Sequence, residues 1–159
     1  MKVDARWATE EDLDTLVELY RTLEAEMVEL HPMWPIADGL DEPVRASLTQ
    51  ALTDPNTVML IGTVDEYPFG FLLARVEPML AQAEGETVGA IRLIFVDHDA
   101  REVAIGEAMR ELAMAVLREK GISKFDAHVL PGHRLAKNFF EAGGFSARSI
   151  VMHHDDDND

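Results

Sequence analysis

One stretch limits what this chain can fold into more than any other, and it runs from Ile91 to Gly121. It begins Ile91-Arg92-Leu93-Ile94-Phe95-Val96, a run of strand length rich in β-branched and aromatic residues. A polar bend follows, Asp97-His98-Asp99-Ala100, and a helix opens at Arg101-Glu102-Val103-Ala104-Ile105-Gly106. Ile105, Met109, Leu112 and Val116 are spaced four, three and four apart, which predicts one apolar helix face. Arg118 and Lys120 in the last turn, then Gly121, mark its stop. A strand that turns into a helix gathers backbone N–H groups and the positive end of the helix dipole at one spot, a place suited to phosphate. An ordinary strand–helix crossover has the same pattern, so the spacing alone leaves both readings open.

The rest of the chain sets bounds around that unit. A length of 159 residues predicts one domain, 1–152, with an acidic disordered tail at 153–159. The absence of cysteine removes disulfides and thiolate chemistry. No apolar run approaches the roughly 20 residues of a membrane span, and Met1-Lys2-Val3-Asp4 lacks the apolar core of a secretion signal. The expectation is a soluble cytoplasmic protein. Thirty acidic residues against fourteen basic ones give a net charge of −16, which argues against a nucleic-acid partner. The acid is concentrated: residues 1–42 hold twelve Asp or Glu and three Lys or Arg, a net of −9. Such a field favours cationic small molecules or lysine-rich partners, and a merely solvating surface would show the same excess. The tail His153-His154-Asp155-Asp156-Asp157 has ligand residue types without ordered spacing, so no metal site is expected.

In order, Val3–Trp7 reads as a strand, and Thr9 with Asp12 three residues on as a capping box. Leu13, Leu16, Val17, Tyr20, Leu23 and Met27 mark an amphipathic helix. Two prolines and a glycine in His31–Gly39 predict irregular backbone, with Trp34 folded onto the core or lining a pocket. A helix is expected from Pro43 to Leu52, then strands Val58–Val64 and Phe69–Val76 joined by Asp65-Glu66-Tyr67-Pro68. After a polar loop at Glu77–Thr87 come the strand Val88–Val96, the long helix, a strand Lys124–Leu130, a helix His133–Ala142 closed by Gly143-Gly144, and a last strand Phe145–Met152. Hairpins in the middle and crossovers later imply a mixed α/β sheet with helices on both faces.

Two runs carry a resemblance. Val96 to Met109, with Arg101 followed by small or short-chain positions at Ala104 and Gly106, resembles the acyl-CoA motif of the GCN5-related N-acetyltransferases (GNAT). Ala127 to Phe145, with Asn138, Phe139-Phe140 and Gly144-Phe145, resembles the family's second motif, and Arg6 to Leu13 resembles its common start. The resemblance implies a GNAT-like fold, with acetyl-CoA as acyl donor and a small-molecule or peptide amine as acceptor. It implies that Arg101, Glu102, Val103, Ala104, Ile105 and Gly106 cradle the CoA pyrophosphate, with His133 also at the cofactor. It implies too that the backbone of Ile94, Phe95 and Val96 pairs with the pantetheine arm.

Departures from the family pattern matter for mechanism. Ala104 stands where the first glycine is usual, and His133 where Asn is usual. Phe140 stands at the position of a proton-donating Tyr, which phenylalanine cannot replace. Arg92 and Leu93 stand where acidic residues often deprotonate the amine. His128 and His133 are the candidate proton carriers. Arg92 and Trp34 are candidate substrate contacts, and the apolar Met33–Ile36 loop a candidate homodimer surface. Two functions follow: acetyl transfer to a primary amine, or a degenerate, non-catalytic acyl-CoA-binding or protein-interaction module on the same fold.

Overall fold

A computed structural model describes residues 1–98 and 104–157. Its frame is one five-stranded sheet in the order β1 to β5, made of β1 (Val3–Trp7), β2 (Thr57–Val64), β3 (Tyr67–Pro78), β4 (Thr87–Val96) and β5 (Phe125–Ala127). Neighbours pair antiparallel except β4 and β5, which run parallel. The hairpin between β2 and β3 is tighter than the expected four-residue connection. Asp65 and Glu66 alone make the turn, both at positive φ, while Tyr67 and Pro68 join the strand. Pro68, opposite Thr63, stands beside a register shift at which Phe69 is the extra residue, and such irregular positions tolerate proline.

Strand alternation divides the interior into two cores. Met59, Ile61, Phe71, Leu73, Leu93 and Phe95 face one side, where α1 (Leu13–Leu30), the single turn α2 (Trp34–Ala37) and α3 (Val44–Thr53) cover them. Val58, Leu60, Leu72, Ala74 and Ile91 face the other, beneath α4 (Ile105–Glu119). The His31–Gly39 stretch is therefore not wholly irregular. Pro35 sits near the start of one helical turn, where its missing N–H costs nothing, and the turn buries Trp34 with its ring 6.1 Å from that of Tyr20.

The buried stripe of α4 is Ile105, Met109, Ala113 and Leu117, all fully buried, with Leu112 and Val116 at its margin rather than its centre. Small residues on the sheet explain why this helix lies so close. A Cβ on Gly62 would stand 2.4 Å from Ile105 Cγ2, and one on Gly89 2.8 Å from Leu117 Cδ1. At the other end of the chain, α5 (Arg134–Ala142) stops in a Schellman motif. The N–H of Phe145 donates to Phe140 O, and that of Gly144 (φ +93°) to Glu141 O, while the Phe140 and Phe145 rings meet at 5.3 Å.

Two expected strands are corrected. β5 covers Phe125–Ala127 only, not Lys124–Leu130, and Phe145–Met152 forms no strand. The two facts share a cause, because an edge of three residues is too short a template for eight more. The terminal segment is tied to β5 through Arg148 and Asp126, and Ile150, Val151 and Met152 stay exposed.

Candidate active site at the fork between β4 and β5

The parallel pair holds together for three positions, Gly89 with Phe125, Ala90 with Asp126 and Ile91 with Ala127. The N–H of His128 makes a last bond to Ile91 O at 3.1 Å. Past that point β4 continues to Val96 along β3, while the chain after β5 departs into the turn at Pro131-Gly132. A wedge opens between them, with His128 at its apex.

β4 carries a bulge at the same place. Leu93 lies opposite Leu73 but Ile91 lies opposite Ala74, so Arg92 is an extra residue without a partner in β3. The extra residue reverses the alternation: Ile91 faces the α4 core and Leu93 the α1 core, two residues apart that would otherwise share a face. Nothing in the local sequence marks it, and the sequence reading missed it.

Arg92 does not present a free guanidinium. Its Nε and Nη2 donate to Glu77 Oε2 and Oε1, both at 2.7 Å, and Nη1 lies 3.5 Å from His128 Nδ1. The Arg92 hydrogen bonds hold the Glu77 carboxyl below the ordinary range, against a smaller opposing effect of burial. Burial, followed by the Arg92 charge, pushes His128 below the usual histidine value. Asp126 is also held low, chiefly by its hydrogen bonds from Arg148. Asp38, exposed after α2, adds a further negative charge felt by both Arg92 and His128. Three carboxylates thus face two guanidiniums and a neutral imidazole. Glu77 and Asp38 were not among the expected site residues; Glu77 lies opposite Val88, on the face that Ala90 and Arg92 continue.

The remaining candidates divide. His133 begins α5, with Nε2 at 4.0 Å from Glu26 Oε1, and Glu26 Oε2 lies 3.3 Å from His98 Nε2. Glu26 of α1 thus reaches both arms of the fork. Ile94 and Val96 are partly buried on the α4 side and Phe95 is buried on the other. Ala104 is exposed at the start of α4, where no side chain among the described residues caps the helix. Arg101, Glu102 and Val103 lie outside the described residues. Phe140 is buried between Phe139 and Phe145, and Trp34 is buried in the α1 core. Gly106 has a packing reason for its size, since a Cβ there would meet the Phe139 ring at 3.2 Å.

The Acetyltransferase (GNAT) family profile matches residues 13–145, which spans both arms of the fork and most of the chain. The protein is a GNAT acetyltransferase family member. Its mixed sheet is the GNAT fold. Solved structures agree. AAC(6')-Iy, in complex with the bisubstrate analogue CoA-S-monomethyl-acetylneamine, is 16% identical over 98% of each chain, with a TM-score of 0.77. A transcriptional regulator from Bacillus halodurans C-125 is 24% identical over 96% of this chain and 100% of that one, with a TM-score of 0.74. An aminoglycoside acetyltransferase from an uncultured soil metagenomic sample, in complex with sisomicin, is 19% identical over 96% and 93%, with a TM-score of 0.70. At these identities the likeness is one of fold. Among curated proteins no sequence matches this GNAT chain.

Proposed function

We propose that this protein transfers an acetyl group from acetyl-CoA to a primary amine of a cationic small molecule or peptide. The observation that carries the reading is the fork: β4 parts from β5 at a bulge, and His128 stands where they part. The residues there fit the donor. Pairing with β5 ends at Ile91, so an extended pantetheine arm can lie against β4 as an added strand. The start of α4, small at Ala104 and Gly106 and with an N-cap residue, Ala104, that has no capping group, suits a pyrophosphate.

Acetyl-CoA supplies an acetyl group already activated as a thioester. The protein's share is placement, charge and control of protons. Backbone N–H groups at the fork polarise the carbonyl. Asp38, with the −9 of residues 1–42, draws a cationic amine to the α1 side of the sheet, while Glu77 and Asp126 are already met by Arg92 and Arg148. Because Arg92 is met by Glu77, a carboxylate on the acceptor finds no free partner there, and an acidic substrate is disfavoured.

Thiol release measured with spermidine, an aminoglycoside, a lysine peptide and an acidic amino acid tests this. The cationic amines will turn over, and their kcat/KM will fall with added salt, since screening acts over about 8 Å at physiological ionic strength. An acidic amino acid as the best substrate, insensitive to salt, would overturn the acceptor assignment. One observation favours the non-catalytic module instead, namely that neither Phe140 nor Arg92 offers a proton acceptor or donor of the usual kind. Tight CoA binding without thiol release from any amine would establish it.

A further inference from the structure

Arg92 has two tasks. The Glu77 carboxylate grips two of its nitrogens, which holds the planar guanidinium in one orientation. The third, Nη1, is turned to His128 Nδ1 at 3.5 Å. A guanidinium donates only and keeps its proton at any relevant pH, so the ring nitrogen facing it carries the lone pair. A proton on Nδ1 would point at a fixed positive charge, and the hydrogen of the neutral ring therefore sits on Nε2. The charged groups around the ring are Arg92 of β4, Glu77 of β3, Asp126 of β5 and Asp38 after α2. Burial and Arg92 together outweigh the three carboxylates, which keeps the ring neutral near pH 7.

We propose that Glu77 and Arg92 form a positioning pair that fixes His128 as its Nε2–H tautomer, so that His128 serves acetyl transfer as a neutral hydrogen-bond donor and not as the base that takes the amine proton. The catalytic half of this rests on the acetyl-transfer reading above. The proton count closes without a base on His128. The ammonium first gives a proton to water, and the amine nitrogen then bonds to the acetyl carbon. The carbon–sulfur bond breaks, sulfur leaves with the electron pair, and the proton lost by nitrogen ends on sulfur. His128 neither gains nor loses a proton overall, and its Nε2–H meets the negative charge that develops on the carbonyl oxygen or the departing sulfur. The rate then rises with pH as the amine deprotonates, with no limb belonging to His128.

The tautomer is read in the free protein by long-range proton–nitrogen NMR of the His128 ring at neutral pH. The wild type will show the Nε2–H pattern, and in Arg92→Leu that preference will weaken while the ring titrates higher, because a nearby cation is gone. A wild-type ring with its hydrogen on Nδ1, or a variant with unchanged tautomer and titration, overturns the positioning pair. If Arg92→Leu does not fold, Glu77→Gln, which releases the guanidinium from its fixed orientation, gives the same comparison, and an unchanged tautomer and titration there overturns the pair. The catalytic half is tested by exchange of His128. Gln places an N–H donor near Nε2 but cannot act as a base, so His128→Gln will keep a kcat about tenfold or more above that of His128→Ala, with little change in KM for the amine. Equal kcat in the two folded variants overturns the donor role. A wild type that releases no thiol with any amine overturns the acetyl-transfer reading and the donor role together, while the ring spectrum still decides the tautomer.

Discussion

Arg110→Ala will destabilise the protein by about 3 kcal/mol, a large share of the stability of a chain this size. Arg110 lies on α4 with only 7% of its side chain exposed. Its Nη1 donates at 2.9 Å to the carbonyl of Phe139, one of the last carbonyls of α5, and its guanidinium stands 4.5 Å from the Phe139 ring centre. The Schellman motif satisfies Phe140 and Glu141 but not Phe139, so Arg110 completes the cap of the next helix. Gly143 makes room for it, since a Cβ there would stand 2.7 Å from Arg110 Cζ. Truncation strands a carbonyl and empties the space between the two helices. The loss of a charged hydrogen bond to a partly buried carbonyl, about 1.5–3 kcal/mol, adds to a cation–π contact of about 1 kcal/mol and lost packing, less the desolvation that alanine relieves. Urea unfolding gives the number, and a change under about 0.5 kcal/mol would show that α5 does not depend on this anchor.

Gly62→Val will weaken acetyl-CoA binding at least about tenfold, or about 1.4 kcal/mol, and lower stability by about 2 kcal/mol. Gly62 lies in β2 beneath the first turn of α4, where its missing side chain admits Ile105 Cγ2 and Met109 Sδ. Both residues are fully buried and have little room to yield. A branched side chain must lift the start of α4, the end of the helix proposed to face the pyrophosphate. Calorimetry on the folded variant measures this. Unchanged affinity with reduced stability would mean that the phosphates rest elsewhere.

These two predictions concern residues whose roles the sequence conceals, for different reasons. The helices were legible because Leu16, Tyr20, Leu23 and Met27, or Ile105 and Met109, repeat at helical spacing. The fork was legible only as a family resemblance in two runs about thirty residues apart. Arg110 looks like a surface residue because arginine is rarely buried, and its partner carbonyl belongs to backbone, which leaves no trace in residue type. The bulge at Arg92 shifts register by one residue amid apolar neighbours that suit either face, so alternation could not reveal it. Glu77 lies fifteen residues before Arg92, across a loop expected to be polar, and the two meet only because β3 and β4 pair in a register that sets Glu77 opposite Val88. Phe145–Met152 failed in the other direction. Its apolar pattern suits a strand, but pairing needs an edge, and β5 stops too soon.

The central claim is that acetyl-CoA lies in the fork, along β4 and at the start of α4. Backbone amide NMR with acetyl-CoA added to the intact protein addresses it directly. The account predicts saturable shifts at Leu93, Ile94, Ile105, Gly106 and His128, with the α3 helix undisturbed. No saturable shift at millimolar acetyl-CoA, or shifts confined to residues away from the fork, would contradict it.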